Sequence, residues 1–133
     1  MTITVGEKFT RTFPVDDTRA ISFLGPELRV YATPRIVQDL EHSCREWLLS
    51  KVEEGQDSVG VRVEVEHKRG TPMGMTVTHE FEVVEVDRSR ITFAITIRDT
   101  LEEVAAGRHT RAVVAKSRVA EAVKAKRVRA GLA

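Results

Sequence analysis

A chain of 133 residues has the length of one domain, enough to bury a single core and too short for a second. One cysteine, Cys44, excludes an internal disulfide, and no apolar run approaches the roughly 20 residues needed to span a bilayer. The net charge of +1 hides an uneven distribution: six basic residues and one acid lie from Lys116 onward, leaving 15 basic and 19 acidic residues in a body that argues against nucleic acid as a partner.

At the N-terminus, Met1 to Lys8 has no basic flank followed by a long apolar stretch, so it does not read as a secretory signal and a reducing cytoplasm is expected. The first strand is expected from Lys8 to Val15, with Phe9 and Phe13 on one face. Asp16 to Tyr31 is irregular, with a turn at Gly25-Pro26, and reads as a loop over the core. Thr33-Pro34 resembles a helix start, the threonine suited to the N-cap and the proline to the first helical position. From Pro34 to about Glu53, Ile36, Val37, Leu40, Cys44, Trp47, Leu48 and Val52 recur at helical spacing, and Gly55 follows as a terminator.

The remainder alternates with period two. Val59, Val61, Val63 and Val65 define one inward face, Gly70 to Gly74 a turn, and Met75 to Val86 a long strand whose apolar phase shifts between Val83 and Val84, the mark of a bulge. Ile91, Phe93, Ile95 and Ile97 define the next inward face after a tight connection at Asp87 to Arg90. Asp99-Thr100 makes another turn, and Leu101 to Lys116 gives the last strand. One strand, a long helix and four strands on short turns is an α+β pattern, a helix against a five-stranded antiparallel sheet. Such a sheet has two open edges, so pairing with a second subunit is a natural way to finish burial. The domain is expected over residues 1–116 and a basic tail, partly helical or disordered, over 117–133.

Three polar residues occupy positions that periodicity reserves for apolar ones. Glu41 falls inside the apolar arc of the helix, about 40° from Val37, where a carboxylate is desolvated unless it pairs with an arginine or reaches solvent. His67 continues the valine series in phase, which makes it either a general acid or base on a cleft wall or a hydrogen-bonded histidine at a strand end. Thr33 serves either as N-cap alone or also as a hydroxyl beside the positive end of the helix, where an attacked carbonyl would be stabilised. His42 falls opposite the stripe, and His79 reads as core or cleft wall. The four histidines and one cysteine show no metal-ligand spacing, so no metal is expected.

Tyr31-Ala32-Thr33-Pro34, Glu41 eight positions after the threonine, Ser58-Val59-Gly60 leading to His67, Thr71-Pro72-Met73-Gly74 and Gly107-Arg108-His109-Thr110-Arg111 together resemble the hotdog-fold thioesterases related to fluoroacetyl-CoA thioesterase. The resemblance runs from about Val5 to Val114. It implies a homodimer of hotdog protomers, an acyl-CoA substrate with coenzyme A as part of that substrate and no separate cofactor, and a catalytic set of Thr33, Glu41 and His67. It further implies that the Gly60 backbone lies close to the acyl group, and that Pro34 stands at the substrate where relatives carry a glycine, removing one amide donor. The segment Ser22 to Glu27 is shorter than the lid segment of the fluoroacetyl-CoA enzyme, so that enzyme's specificity is not implied. The expected activity is hydrolysis of a small acyl-CoA; the rival expectations are a non-catalytic domain binding acyl-CoA or a hydrophobic carboxylic ligand, and a hydratase on the same fold.

Overall fold

In the computed structural model, which describes residues 1–132, the chain runs β1 (Lys8–Pro14), α1 (Thr33–Leu49), β2 (Gln56–His67), β3 (Thr76–Asp87), β4 (Arg90–Arg98), β5 (Glu103–Ala115) and α2 (Lys116–Arg129). The strands form one antiparallel sheet in the order β1-β3-β4-β5-β2, so β1 and β2, which flank the helix in sequence, end up as the two edges. The chain after β1 crosses the whole sheet, and α1 lies on the face it crosses.

Burial of the alternating apolar residues drives this arrangement. Ile36, Leu40, Cys44 and Leu48 of α1 pack on Val77, Phe81 and Val83 of β3 and on Ile91, Phe93, Ile95 and Ile97 of β4. Phe9 of β1 stacks between Trp47 of α1, at 5.0 Å, and Phe81, at 4.5 Å, which closes the core at the β1 edge. The irregular segment from Asp16 to Tyr31 is tied down by a bridge between Ala20 and Tyr31 and another between Val30 and Pro72. The phase shift expected in β3 is a register slip between Val83 and Glu85 against β4.

Three expectations need correction. Thr33 is not the N-cap: Ala32 is, with no side-chain cap, and Thr33 opens the helix itself because its hydroxyl is engaged elsewhere. The helix ends at Leu49, short of Glu53, with Ser50 as C-cap; its hydroxyl bonds the Trp47 carbonyl at 2.6 Å, and Gly55 serves the following turn at φ +85°. The four valines of β2 do not share one buried face. The register with β5 slips between Gly60 and Arg62, so Val59 lies on the opposite face from Val63 and Val65, and Val59, Val61 and Val63 are exposed along the sheet edge.

The tail forms helix α2, which buries none of its residues. Among the described residues no helix is long and apolar enough to cross a membrane, and no cluster of His, Cys, Asp and Glu could hold a metal ion.

Candidate active site

Thr33 and His67 meet at the first turn of α1. The Thr33 Oγ1 lies 2.8 Å from Nδ1 of His67, across a sequence separation of 34 residues. The β2 bulge produces this meeting: after the slip the inward residues carry odd numbers, so Val63, Val65 and His67 all face the helix side, and His67, last in the strand, reaches the helix start. The half-buried imidazole is held below its ordinary pKa by loss of solvent, an effect the neighbouring Arg69 backbone offsets only in part. It is therefore neutral near pH 7, with Nδ1 able to accept the threonine proton. Its Nε2 is sheltered from solvent and unpartnered among the described residues.

Pro34 follows and offers no amide, while the amides of Arg35 and Ile36 both turn to the Ala32 carbonyl at 3.0 Å. The helix start still carries the positive end of the peptide dipoles. Pro34 and Glu41 line a hollow of about 360 Å³ along the helix, and Glu41 and Gly60 line a second of about 260 Å³ with Val61, Arg62, Val63 and His109. Glu41 thus stands between the two hollows.

Glu41 is not hydrogen-bonded to His67 in this chain. Its carboxylate, 39 % exposed, faces β5, where Oε2 lies 3.6 Å from Nη1 of Arg111. Arg111 is buried, and its guanidinium is held on three sides: Nε donates to Ser58 Oγ at 2.7 Å, Nη2 to the Ser58 carbonyl at 2.8 Å and Nη1 to Nε2 of His109 at 3.2 Å. Since a carbonyl only accepts, Nδ1 of His109 must be the donor to the Arg62 carbonyl at 2.8 Å, which leaves Nε2 as the acceptor for Arg111 and makes His109 the neutral tautomer. Burial depresses the pKa of both His109 and Arg111. Gly60 closes this cluster: a Cβ there would stand 3.2 Å from Glu41 Oε2 and from His109 Cε1.

Of the five candidates read from sequence, Thr33 and His67 form one locus and Glu41 and Gly60 another, with Pro34 on the wall that leads between them. The sequence pattern gives Ser58, His109 and Arg111 no role of their own. The signal was present, since His109 and Arg111 alternate in phase with the buried Val113, but polar residues on an inward face reveal a site only once their partners are known. His42 is exposed and His79 buried in the core, as their spacing indicates.

Residues 15–117 match the model of the fluoroacetyl-CoA-specific thioesterase family, FlK. The fluoroacetyl-CoA thioesterase of Streptantibioticus cattleyicolor is 32 % identical over 117 residues, which cover 83 % of this chain and 84 % of that protein. A crystal structure of the fluoroacetyl-CoA thioesterase FlK superposes with a TM-score of 0.85 at 29 % identity, covering 95 % of this chain and 98 % of that one. A hot-dog-like protein from Thermanaerovibrio acidaminovorans gives 0.84 at 25 % identity over 92 % and 91 % of the two chains. The helix laid across a five-stranded antiparallel sheet, the threonine and histidine joined at the helix start and these likenesses agree: the chain is a hotdog-fold member of the fluoroacetyl-CoA-specific thioesterase family.

Proposed function

We propose that the protein hydrolyses a small acyl-CoA to a carboxylate and free CoA. The observation that carries this reading is the 2.8 Å contact between Thr33 Oγ1 and His67 Nδ1 at the positive end of α1, in a chain of a thioesterase family. The thioester carbonyl sits at the helix start. Thr33 attacks it or orients the water that does, and His67 takes the proton as the C–O bond forms. The C–S bond then breaks and the CoA sulfur leaves as thiolate, taking the proton that His67 holds; attack by water gives the carboxylate directly, whereas attack by Thr33 leaves an acyl-threonine ester that a water deprotonated by His67 then hydrolyses to the carboxylate and the free hydroxyl. Glu41 borders the hollow that begins at Pro34, next to Thr33 in sequence, and serves the proton traffic or the placement of water, with Gly60 and Pro34 bounding the acyl group. No cofactor enters this reading, since coenzyme A arrives as part of the substrate.

The test is release of free thiol from a panel of short, branched and aryl acyl-CoAs. Thr33→Ala and His67→Ala should each lower kcat about 100-fold or more, and Glu41→Gln about 10-fold or more, with binding retained. CoA thioesters that bind and are never cleaved would instead establish the binding-only reading.

We further infer that two protomers pair through β2 in a cytoplasmic homodimer. Val59, Val61 and Val63 are 41, 41 and 39 % exposed along this edge, apolar on both sides of the bulge, which a monomer in water does not favour, whereas the β1 edge is guarded by Lys8, Arg11 and Pro14. Sedimentation should give twice the protomer mass, and Val63→Lys should shift it toward the monomer; a monomeric parent would sink the pairing.

A further inference from the structure

Asp39 is a charged residue in the middle of α1, yet it is buried. It lies about 200° around the helix from Glu41, so the two carboxylates face opposite sides. Arg19 binds it with both arms of its guanidinium, Nε to Oδ2 at 2.9 Å and Nη2 to Oδ1 at 3.2 Å. Tyr31, fully buried, donates its hydroxyl to the same Oδ2 at 2.5 Å. That hydroxyl has one proton, so the contact of 3.0 Å with Nε2 of His79 has the imidazole as donor. The Arg19 guanidinium also lies over the Phe13 ring, 4.9 Å from its centroid.

These contacts converge on the start of α1. Arg19 holds the helix twice: its side chain grips Asp39, and its main-chain carbonyl accepts the amide of Ala32, the N-cap, at 2.8 Å. Tyr31 holds it again through its side chain on Asp39, while its own amide is fixed to the Thr71 carbonyl at 2.9 Å. Thr33 follows Ala32 directly. No side chain caps this helix, so the first turn lacks the device that usually sets its position. A bidentate guanidinium and a phenol on one desolvated carboxylate form a stiff joint, since each partner removed would leave a buried charge or donor unpaired.

From this geometry we propose that Asp39 is a positioning residue: the Arg19–Asp39–Tyr31 clamp replaces a helix cap and fixes the Thr33 hydroxyl at bonding distance from His67. The proposal rests on the hydrolytic reading of Thr33 and His67. It requires a catalytic geometry sensitive to displacement, and misplacement of a reacting group by about 1 Å costs on the order of 100-fold in rate. The clamp touches neither Thr33 nor His67 directly, so its influence passes through the backbone of residues 31–33.

The test is a cycle of variants under steady-state kinetics. Asp39→Asn keeps the shape and removes the charge, and should lower kcat about 10-fold or more while KM stays within about 3-fold. In a Thr33→Ala background the same substitution should cost nothing further, because the hydroxyl it places is gone. Tyr31→Phe, which keeps the Arg19–Asp39 pair, should lower kcat by a smaller factor and serves where Asp39→Asn does not fold. A loss that multiplies with that of Thr33→Ala, a loss confined to KM, or an unchanged kcat overturns the proposal. A second readout is independent of turnover: the His67 ring-nitrogen resonance should move in Asp39→Asn in the direction in which Thr33→Ala moves it. If the parent cleaves no thioester, the hydrolytic reading fails and this resonance alone decides the clamp, an unmoved signal refuting it.

Discussion

Gly60 shows how little room the site leaves at the scale of one residue. Its backbone lies outside the left-handed region, so what favours the glycine is space: a methyl would press on Glu41 Oε2 and His109 Cε1 at 3.2 Å and touch Arg111 Nη1 at 3.5 Å. Either the carboxylate leaves Arg111 or the hollow narrows. Gly60→Ala should therefore raise KM for acyl-CoAs about 10-fold, most strongly for branched acyl groups, as steady-state kinetics on the panel would show. Equal kinetics across the panel would mean that Gly60 does not border the acyl group. His67 gives a second prediction at this scale. Because burial lowers its pKa from the ordinary 6.5, the imidazole stays neutral below that value. The acid limb of the kcat/KM profile should then fall at a pH below 6.5, with activity lost as pH drops through the depressed pKa; a limb above 6.5 would exclude His67 as the base.

Among the elements, α1, β2 and β5 carry the site, and Gly107 is the pin that joins the two strands. An added Cβ there would stand 2.0 Å from the Glu64 carbonyl oxygen, main chain that cannot yield without parting the strands. Gly107→Ala should cost several kcal/mol of stability, more than about 3, and reduce activity with it, measured by chemical denaturation. Helix α2 is the contrasting case. It buries no residue, so truncation after Lys116 should move Tm by no more than about 2 °C, and a larger drop would show that the tail belongs to the domain. How legible these elements were follows from their surroundings. Central strands β3 and β4 sit under α1, and their alternation in sequence is their alternation in space. Edge strand β2 defeats the same reasoning: four valines at period two look like one face, but a single extra residue at the bulge turns Val59 to the other side. Helix α1 keeps its apolar stripe from Ile36 to Leu48, but its ends differ from the sequence pattern: the Thr33 hydroxyl serves His67 in preference to its own helix, and Val52 packs on the core from beyond the C-cap.

Over the whole molecule, three histidines are held below their ordinary pKa, and burial is the leading cause for each of His67, His79 and His109. His79 is pushed down to about 4, with the Asp39 charge opposing that shift and Arg19 reinforcing it. The unfolded chain takes up protons near pH 6.5 where the folded one does not, so unfolding is favoured as pH falls. Stability should be full above about 6.5 and decline toward pH 4, with His79 alone contributing on the order of 3 kcal/mol across that window. Urea midpoints at pH 7.5, 6.0 and 5.0 would measure the decline, and His79→Gln should flatten it. Midpoints that do not change with pH would mean that these imidazoles are already exposed to protons in the folded state.

The sequence by itself determined the order of elements, the core positions of α1, β3 and β4, and the residue types from which a thioesterase site is made. Those features are periodic or local, and each residue declares them from its neighbours in the chain. Only the tertiary structure decided which of those residues meet. Thr33 reaches His67 because a bulge sets the phase of β2, Glu41 faces Arg111 because β5 lies beside β2, and Asp39 is buried because Arg19 and Tyr31 return to it from the crossing segment. Partners separated by 8 to 70 positions are chosen by packing, which periodicity along the chain does not reveal.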